Sequence, residues 1–255
     1  MSDLIFYIIV YCWIAIAIGT FFLLHKVTAP FGRHTRDDFG PTINARLAWC
    51  LMELPSPITF SLFFLFGGNT PTPAMWVFFA VWNLHYINRS LIYPFRQKDV
   101  KKRMPVAILG SAIGFNIMNG FLNGFYLGNI CDVTKYGIDY LSDIRFEFGI
   151  IIFALGMIIN FQSDNILLAL RKPGETGYKI PYGGLFKYVS CPNLFGEMLE
   201  WTGFALMLWS APALSFSIWT VANLLPRAVA HHHWYLDKFG TEYPKKRRAV
   251  FPYIL

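Results

Sequence analysis

The sequence predicts an all-α integral membrane protein with seven transmembrane helices, its N-terminus outside and its C-terminus in the cytoplasm. Three observations predict it. Of 255 residues, 55% are hydrophobic and only 15% charged. An ordinary soluble domain carries about 25% charge, and a soluble surface of this size needs more than this chain has. Seven apolar runs approach the roughly 20 residues that a helix needs to cross about 30 Å of hydrocarbon. Between those runs the basic residues alternate between many and few, which is the signature of a positive-inside topology.

The spans follow in order. Leu4 to Leu24 carries no charge, and only Ser2 and Asp3 follow the initiator Met, so it lacks the basic start of a signal peptide and reads as a span. The others are 46–66, 74–95, 105–128, 146–169, 194–210 and 212–234, the last two joined by a short turn around Ala211-Pro212-Ala213. Lys and Arg number 4 in 25–46, none in 67–73, 5 in 96–104, 1 in 129–144, 4 in 170–193, none at the 211 turn and 5 after 235. An even number of spans would break that alternation. The whole chain, 1–255, reads as one transmembrane domain. Its longest non-spanning piece, Arg171 to Asn193, contains Tyr178, Tyr182, Leu185, Phe186 and Tyr188, an apolar content that predicts an ordered loop on the cytoplasmic side.

The net charge of +7 falls beside apolar runs and does not alternate with aromatics on a polar background. It reads as juxtamembrane charge, with no nucleic-acid partner. Cys12, Cys50, Cys131 and Cys191 form no CxxC pair and no zinc pattern, so reduced thiols and no metal are expected. His231-His232-His233 does not change this, because consecutive residues on a helix point about 100° apart and three in a row do not chelate one ion.

Ionisable residues inside spans are costly and so mark candidate function. Glu53 lies about seven residues from the cytoplasmic end of span 2, on the order of 10 Å deep. His85, Tyr86 and Arg89 lie at similar depth on antiparallel span 3. Pro55 and Pro57 are expected to bend span 2 beside Glu53. Three further stripes share one helix face each: Asn160 and Asp164 on span 5, Asn193 and Glu197 on span 6, Arg227, His231 and Tyr235 on span 7. All fall in the cytoplasmic half. They read either as interhelical ties, such as Glu197 with Arg227, or as a cytoplasm-facing pocket. Arg171, Lys172 and Arg227 suit phosphates, the amides and Asp164 suit ribose, and the tyrosines suit a base. No GxGxxG or GxxxxGK[ST] is present. The residues alone leave NADPH, S-adenosylmethionine and an acyl-CoA open. Asn116, Asn119 and Asn123 stripe span 4 with Gly114, Gly120 and Gly124 and read as helix packing, with pocket lining the alternative.

The motifs Met52-Glu53-Leu54-Pro55-Ser56, His85-Tyr86-x-x-Arg89, Asp143-Ile144-Arg145-Phe146, Arg171-Lys172-Pro173-Gly174-Glu175, Gly183-Gly184-Leu185-Phe186, Gly196-Glu197, His231-His232-His233 and Tyr243-Pro244-Lys245 resemble the steroid 5α-reductase family over nearly the whole chain. The resemblance implies NADPH-dependent reduction of the 4,5 double bond of 3-oxo-Δ4-steroids such as testosterone or progesterone. It implies Glu53 and Tyr86 as the catalytic pair at the C3 carbonyl. It implies Asn160, Asp164, Arg171, Tyr178, Asn193, Glu197, Arg227, His231 and Tyr235 around NADPH. Spans 1–4 would form the substrate side, and spans 5–7 with loop 170–193 the cofactor side. The family usually has Gln where this chain has Met52. In the implied mechanism Tyr86, supported by Glu53, polarises the carbonyl, hydride reaches the β carbon, and a proton then reaches the α carbon. To donate a hydrogen bond Glu53 must be protonated, a state that burial favours. A monomer in the endoplasmic reticulum or a bacterial inner membrane, with its cofactor site facing the cytoplasm, is expected. Three rivals stay open at this point: a reductase of another lipid enone or enoyl substrate, an isoprenylcysteine-type methyltransferase, and a seven-span receptor or transporter.

Overall fold

A computed structural model describes residues 1–98, 101–172, 175 and 177–255. Of the described residues, 75% are helical. Helix covers each of the seven expected spans: α1 (Asp3–Lys26), α2 (Ala45–Glu53) with α3 (Pro55–Leu65), α4 (Pro73–Ile87) with α5 (Tyr93–Arg96), α6 (Val106–Phe125), α7 (Ile144–Ala169), α8 (Pro192–Leu208) and α9 (Ala211–Phe239). Among the described residues, four helical segments are long and apolar enough to cross a membrane: Asp3–Lys26, Ala45–Leu65, Val106–Ile130 and Ile144–Ala169. Large apolar side chains such as Leu4, Phe22, Leu62, Phe66 and Ile158 lie more than half exposed on these segments and their ends, as expected where the solvent is lipid. This is a membrane protein.

The chain divides into two compact units. The first comprises Met1–Val10, Pro30–Glu147 and Ser210–Ala213. Two short strands, β1 (Thr42–Asn44) and β2 (Arg103–Pro105), pair antiparallel with Ile43 opposite Met104. Asn44 then caps α2, its Oδ1 accepting from the backbone N–H of Arg46 at 3.0 Å and of Leu47 at 3.2 Å, which satisfies two of the helix's orphan donors. Arg46 ties α2 to the end of α5, donating to the carbonyls of Pro94 at 3.1 Å and Gln97 at 2.8 Å.

The expected bend in span 2 is a break. α2 stops at Glu53, Leu54 caps both helices, and α3 starts with Pro55 at a first-turn position, where its missing N–H costs nothing. α3 lies against α6. A Cβ on Gly120 would strike the carbonyl of Ser56, and one on Gly124 would strike the backbone of Phe60. Gly120 and Gly124 of the α6 stripe therefore do pack helices, as their spacing suggests, whereas Gly114 meets nothing within 4 Å. Span 3 is interrupted by a π-turn, Asn88–Ile92, directly after α4, a local widening of the helix common near functional residues.

The second unit comprises Tyr11–Ala29, Phe148–Trp209 and Leu214–Leu255. α7 and α8 meet along glycines. Gly156 faces the backbone of Gly196 and Glu200, Gly203 faces Gly149 and Phe153, and Gly149 faces Met207. Trp13 of α1 stacks near Trp219 of α9 with ring centroids 4.6 Å apart, and Trp219 Nε1 donates to the Trp13 carbonyl at 2.9 Å. The break between α8 and α9 lies two residues before the expected turn. Trp209 takes a left-handed conformation, φ 49°, and caps α8, while Pro212 sits in the first turn of α9, where it is tolerated. α9 also runs five residues past the expected end of its span.

Loop 170–193 is ordered in part, as its aromatics predict. A 3₁₀ turn, Gly184–Lys187, buries Phe186 completely. Segment 188–191 forms a short backbone ladder with the C-terminal tail: Arg248 N–H to Tyr188 O at 2.9 Å, Ser190 N–H to Arg248 O at 2.8 Å, and Cys191 N–H to Ala249 O at 3.1 Å. The Pro173-Gly174 part of the family-like motif lies outside the described residues.

Candidate active site

In the first unit the site grows from the α2–α3 break. Glu53 is the last residue of α2 and is half-buried. Tyr86 is in the last turn of α4 and 3% exposed, with His85 beside it at 5%. The phenol of Tyr86 donates to Oδ1 of Asn116 at 3.2 Å, and Nδ2 of the same Asn116 donates to the carbonyl of Met52 at 2.6 Å. One α6 side chain thus links Tyr86 to the residue preceding Glu53. The π-turn contributes Ser90, whose hydroxyl donates to the Tyr86 carbonyl at 2.6 Å. It also holds Arg89, whose guanidinium lies 5.0 Å from the ring centres of both Trp49 and Tyr93, the geometry of a cation–π pair.

In the second unit the glycine seam of α7 and α8 places Asn160 against Gly196. Nδ2 of Asn160 donates to the carbonyl of Asn193 at 3.0 Å. Asp164 follows one turn later and is 3% exposed. Glu197 follows Asn193 by one turn on α8. Arg171 lies over the ring of Tyr178 at 5.4 Å, and Tyr178 meets Trp234 edge-on at 4.8 Å. Tyr235 is 2% exposed and stacks on Tyr243 at 5.2 Å. Glu175 pairs with Lys179 at 2.5 Å and accepts from the Lys172 backbone at 2.9 Å. Both bonds hold its carboxyl below the usual range, the Lys179 bond more strongly.

The structure therefore draws together Tyr86 with Met52 through Asn116, Asn160 with Asn193, and Arg171 with Tyr178. Arg227 lines a small hollow with Leu24, Thr28, Ala29, Asn223 and Pro226, none of which was singled out from the sequence. Glu200 is 1% exposed against Gly156. Sequence reasoning missed a second polar cluster. Ser190 Oγ lies 2.6 Å from both His232 Nδ1 and Tyr243 Oη. Arg247, 4% exposed, donates to the Pro181 carbonyl at 2.8 Å and lies over the rings of Tyr182 and Tyr243. Burial pushes the Tyr243 phenol above its ordinary range, against the opposing pull of Ser190 and Arg247. The signal available in the sequence was the density of aromatic and basic residues in both segments.

The helices and these groups define a membrane protein with buried polar clusters in each unit. The family model for 3-oxo-5-alpha-steroid 4-dehydrogenase matches residues 102–255. The chain is 41% identical over 253 residues to steroid 5-alpha-reductase DET2 of Solanum lycopersicum, covering 98% of this chain and 97% of the relative. It is 43% identical over 244 residues to the Gossypium hirsutum protein of the same name, covering 94% and 93%. It is 40% identical over 247 residues to 3-oxo-5-alpha-steroid 4-dehydrogenase 1 of Homo sapiens, covering 96% and 93%. The chain belongs to the steroid 5α-reductase family. That membership sets aside the methyltransferase and receptor readings.

Proposed function

We propose that this protein reduces the 4,5 double bond of 3-oxo-Δ4-steroids with NADPH, as one reductase domain spanning the membrane seven times, N-terminus out and C-terminus in. The observation that carries the reading is the Tyr86–Asn116–Met52 chain beside Glu53, in a protein 40% identical to a 3-oxo-5-alpha-steroid 4-dehydrogenase. The donor set of the second unit fits a phosphorylated nucleotide. Arg171 offers a guanidinium braced on Tyr178, Asn160 and Asn193 offer amides, Asp164 and Glu197 offer carboxylates to ribose hydroxyls, and Arg227, His231 and Tyr235 add donors from α9. NADPH supplies, when bound, the hydride that the β carbon of the enone accepts.

The protein's own residues do the rest. Tyr86 donates its hydroxyl proton as a hydrogen bond to the C3 oxygen, and a protonated Glu53 supports it. As negative charge develops on that oxygen these donors bind it more strongly, which lowers the barrier. Arg171 and Lys172 favour the extra phosphate of NADPH over NADH. The apolar exterior admits a steroid from the bilayer. The test is incubation of the purified protein with NADPH and testosterone or progesterone, with product identification. The 5α-reduced 3-oxo-steroid is expected, and no reduction of either steroid would overturn the reading. Topology is tested by cysteine labelling at positions 70 and 246, which should report opposite sides of the membrane. Labelling from one side would contradict the alternation of basic residues.

A further inference from the structure

The Asn and Gly stripe of α6 is largely accounted for by packing. Gly120 and Gly124 admit α3. Asn119 and Asn123 return their amide N–H groups to carbonyls one turn back, Phe115 at 2.8 Å and Asn119 at 3.0 Å. Asn116 differs, because both ends of its amide leave the helix. Nδ2 reaches Met52 O and Oδ1 reaches the Tyr86 hydroxyl, with all three residues buried.

A backbone carbonyl carries no proton. The amide NH₂ must therefore face Met52, and the orientation of the Asn116 carboxamide is set by its chemistry. Oδ1 then faces Tyr86, and at that contact the phenol is the donor. We propose that Asn116 is a positioning residue for Tyr86, holding the phenol proton in the resting site and yielding it to the substrate carbonyl. This rests on the proposed function, in which Tyr86 polarises that carbonyl. At 3.2 Å the bond is longer than the usual 2.5–3.0 Å for O–H···O. It orients the hydroxyl but binds it weakly. An enone oxygen that gains negative charge is a stronger acceptor than a neutral amide, so the hydroxyl turns its hydrogen bond to that oxygen as the transition state forms. Met52 contributes its carbonyl and not its side chain, so the amide is anchored to the last turn of α2, beside Glu53.

The test is a double-mutant cycle on the full-length protein, with NADPH and testosterone as the probes. Single-turnover rate, steroid KM and NADPH affinity are measured for wild type, Asn116→Leu, Tyr86→Phe and the double variant. Asn116→Leu is expected to slow reduction about tenfold, with KM and NADPH affinity within about twofold. In the Tyr86→Phe background, where no proton needs placing, the same change should alter the rate by less than about twofold. Asn116→Asp should recover most of the rate, since a buried, protonated carboxyl both donates to Met52 O and accepts from Tyr86. A tenfold loss that persists without the Tyr86 hydroxyl, or one that appears only in KM or NADPH affinity, would make Asn116 a packing residue and overturn the proposal. If Asn116→Leu fails to fold, Asn116→Ala takes its place in the cycle. A Tyr86→Phe variant as fast as wild type would remove the catalytic assignment of Tyr86 itself, and Asn116's role with it. A slow Tyr86→Phe combined with an additive Asn116→Leu removes only the latter.

Discussion

In the first unit the glycines within the main helix contact stand on one side, and past the helix ends Gly67 meets Gly128. Gly120 and Gly124 of α6, and Gly128 in the turn that extends it, receive the backbone of α3, which brings its large residues Phe60 and Phe64 to an aromatic core with Trp82. In the second unit they stand on both sides: Gly149 and Gly156 on α7 oppose Gly196 and Gly203 on α8. The one-sided contact removes side chains from α6 alone and leaves α3 free to build a core of rings. The reciprocal contact brings two backbones together and leaves little room for side chains. Each ends at a cluster of polar residues. The α3 contact runs up to the Pro55 break and so sets Glu53 and Met52. The α7–α8 contact runs out at Asn160, whose amide meets Asn193. Close backbone approach is a source of helix association where lipid removes the hydrophobic drive between helices.

The largest expected effect tests the division of chemistry between the units. Tyr86→Phe keeps the ring and removes the donor, so single-turnover reduction should fall about 10²–10³-fold, roughly 2.7–4 kcal/mol, with NADPH affinity unchanged. Glu53→Gln should be milder than Glu53→Ala, and combinations with Tyr86→Phe should be less than additive because the pair acts together. A rate within about twofold of wild type for Tyr86→Phe would leave the pair a structural one. The converse variant lies in the second unit. Arg171→Ala should weaken NADPH binding by about tenfold or more, shift preference toward NADH, and leave steroid affinity alone. Equal use of NADH by the unaltered protein would remove the basis for that contrast.

The glycines sharpen the comparison at the level of stability. Gly156→Ala and Gly120→Ala place a Cβ against backbone and should each cost roughly 1–3 kcal/mol, read as lower thermal unfolding temperatures in detergent. Gly114→Ala meets nothing within 4 Å and gains helix propensity, so it should be neutral or slightly stabilising. A reversed order would show that the seams do not hold the units. The smallest effect concerns Asp143, which accepts from Arg145 Nε at 2.8 Å and Nη2 at 2.6 Å and is held at about 2 by those bonds. Its folded value lies below the ordinary 3.8, so the stability it adds is present above that value and is lost as pH falls toward 2. Thermal melts of Asp143→Asn and the unaltered protein should differ at neutral pH and converge at low pH. A constant gap would mean that the pair contributes through packing alone.

Much of the fold was legible because lipid imposes length and polarity on each helix, and an interruption at Pro55 was legible, as a bend, because proline's missing donor acts locally. The end of α8 was not, since a left-handed Trp209 carries no compositional mark. The ladder between 188–191 and 248–249 was not, because pairing over so few residues leaves no periodicity to read. In the site, the residue types on each stripe pointed to a polar cluster, but spacing along a helix says nothing of partners on other helices. For that reason Asn116 read as one more packing amide, with pocket lining the alternative, and Ser190, His232 and Tyr243 did not read as one cluster.

That ladder has a consequence for how the chain is made. Tyr188 waits for Arg248, about 60 residues later, and at roughly 5–20 residues per second that is some 3–12 s of synthesis. During that interval the nascent chain can already close the α7–α8 seam, while the segment leading into Asn193 has no strand to pair with. The second unit is therefore the last to be completed on the ribosome. A pause or premature stop before residue 248 would leave an inserted protein with its helices in place and that segment unpaired.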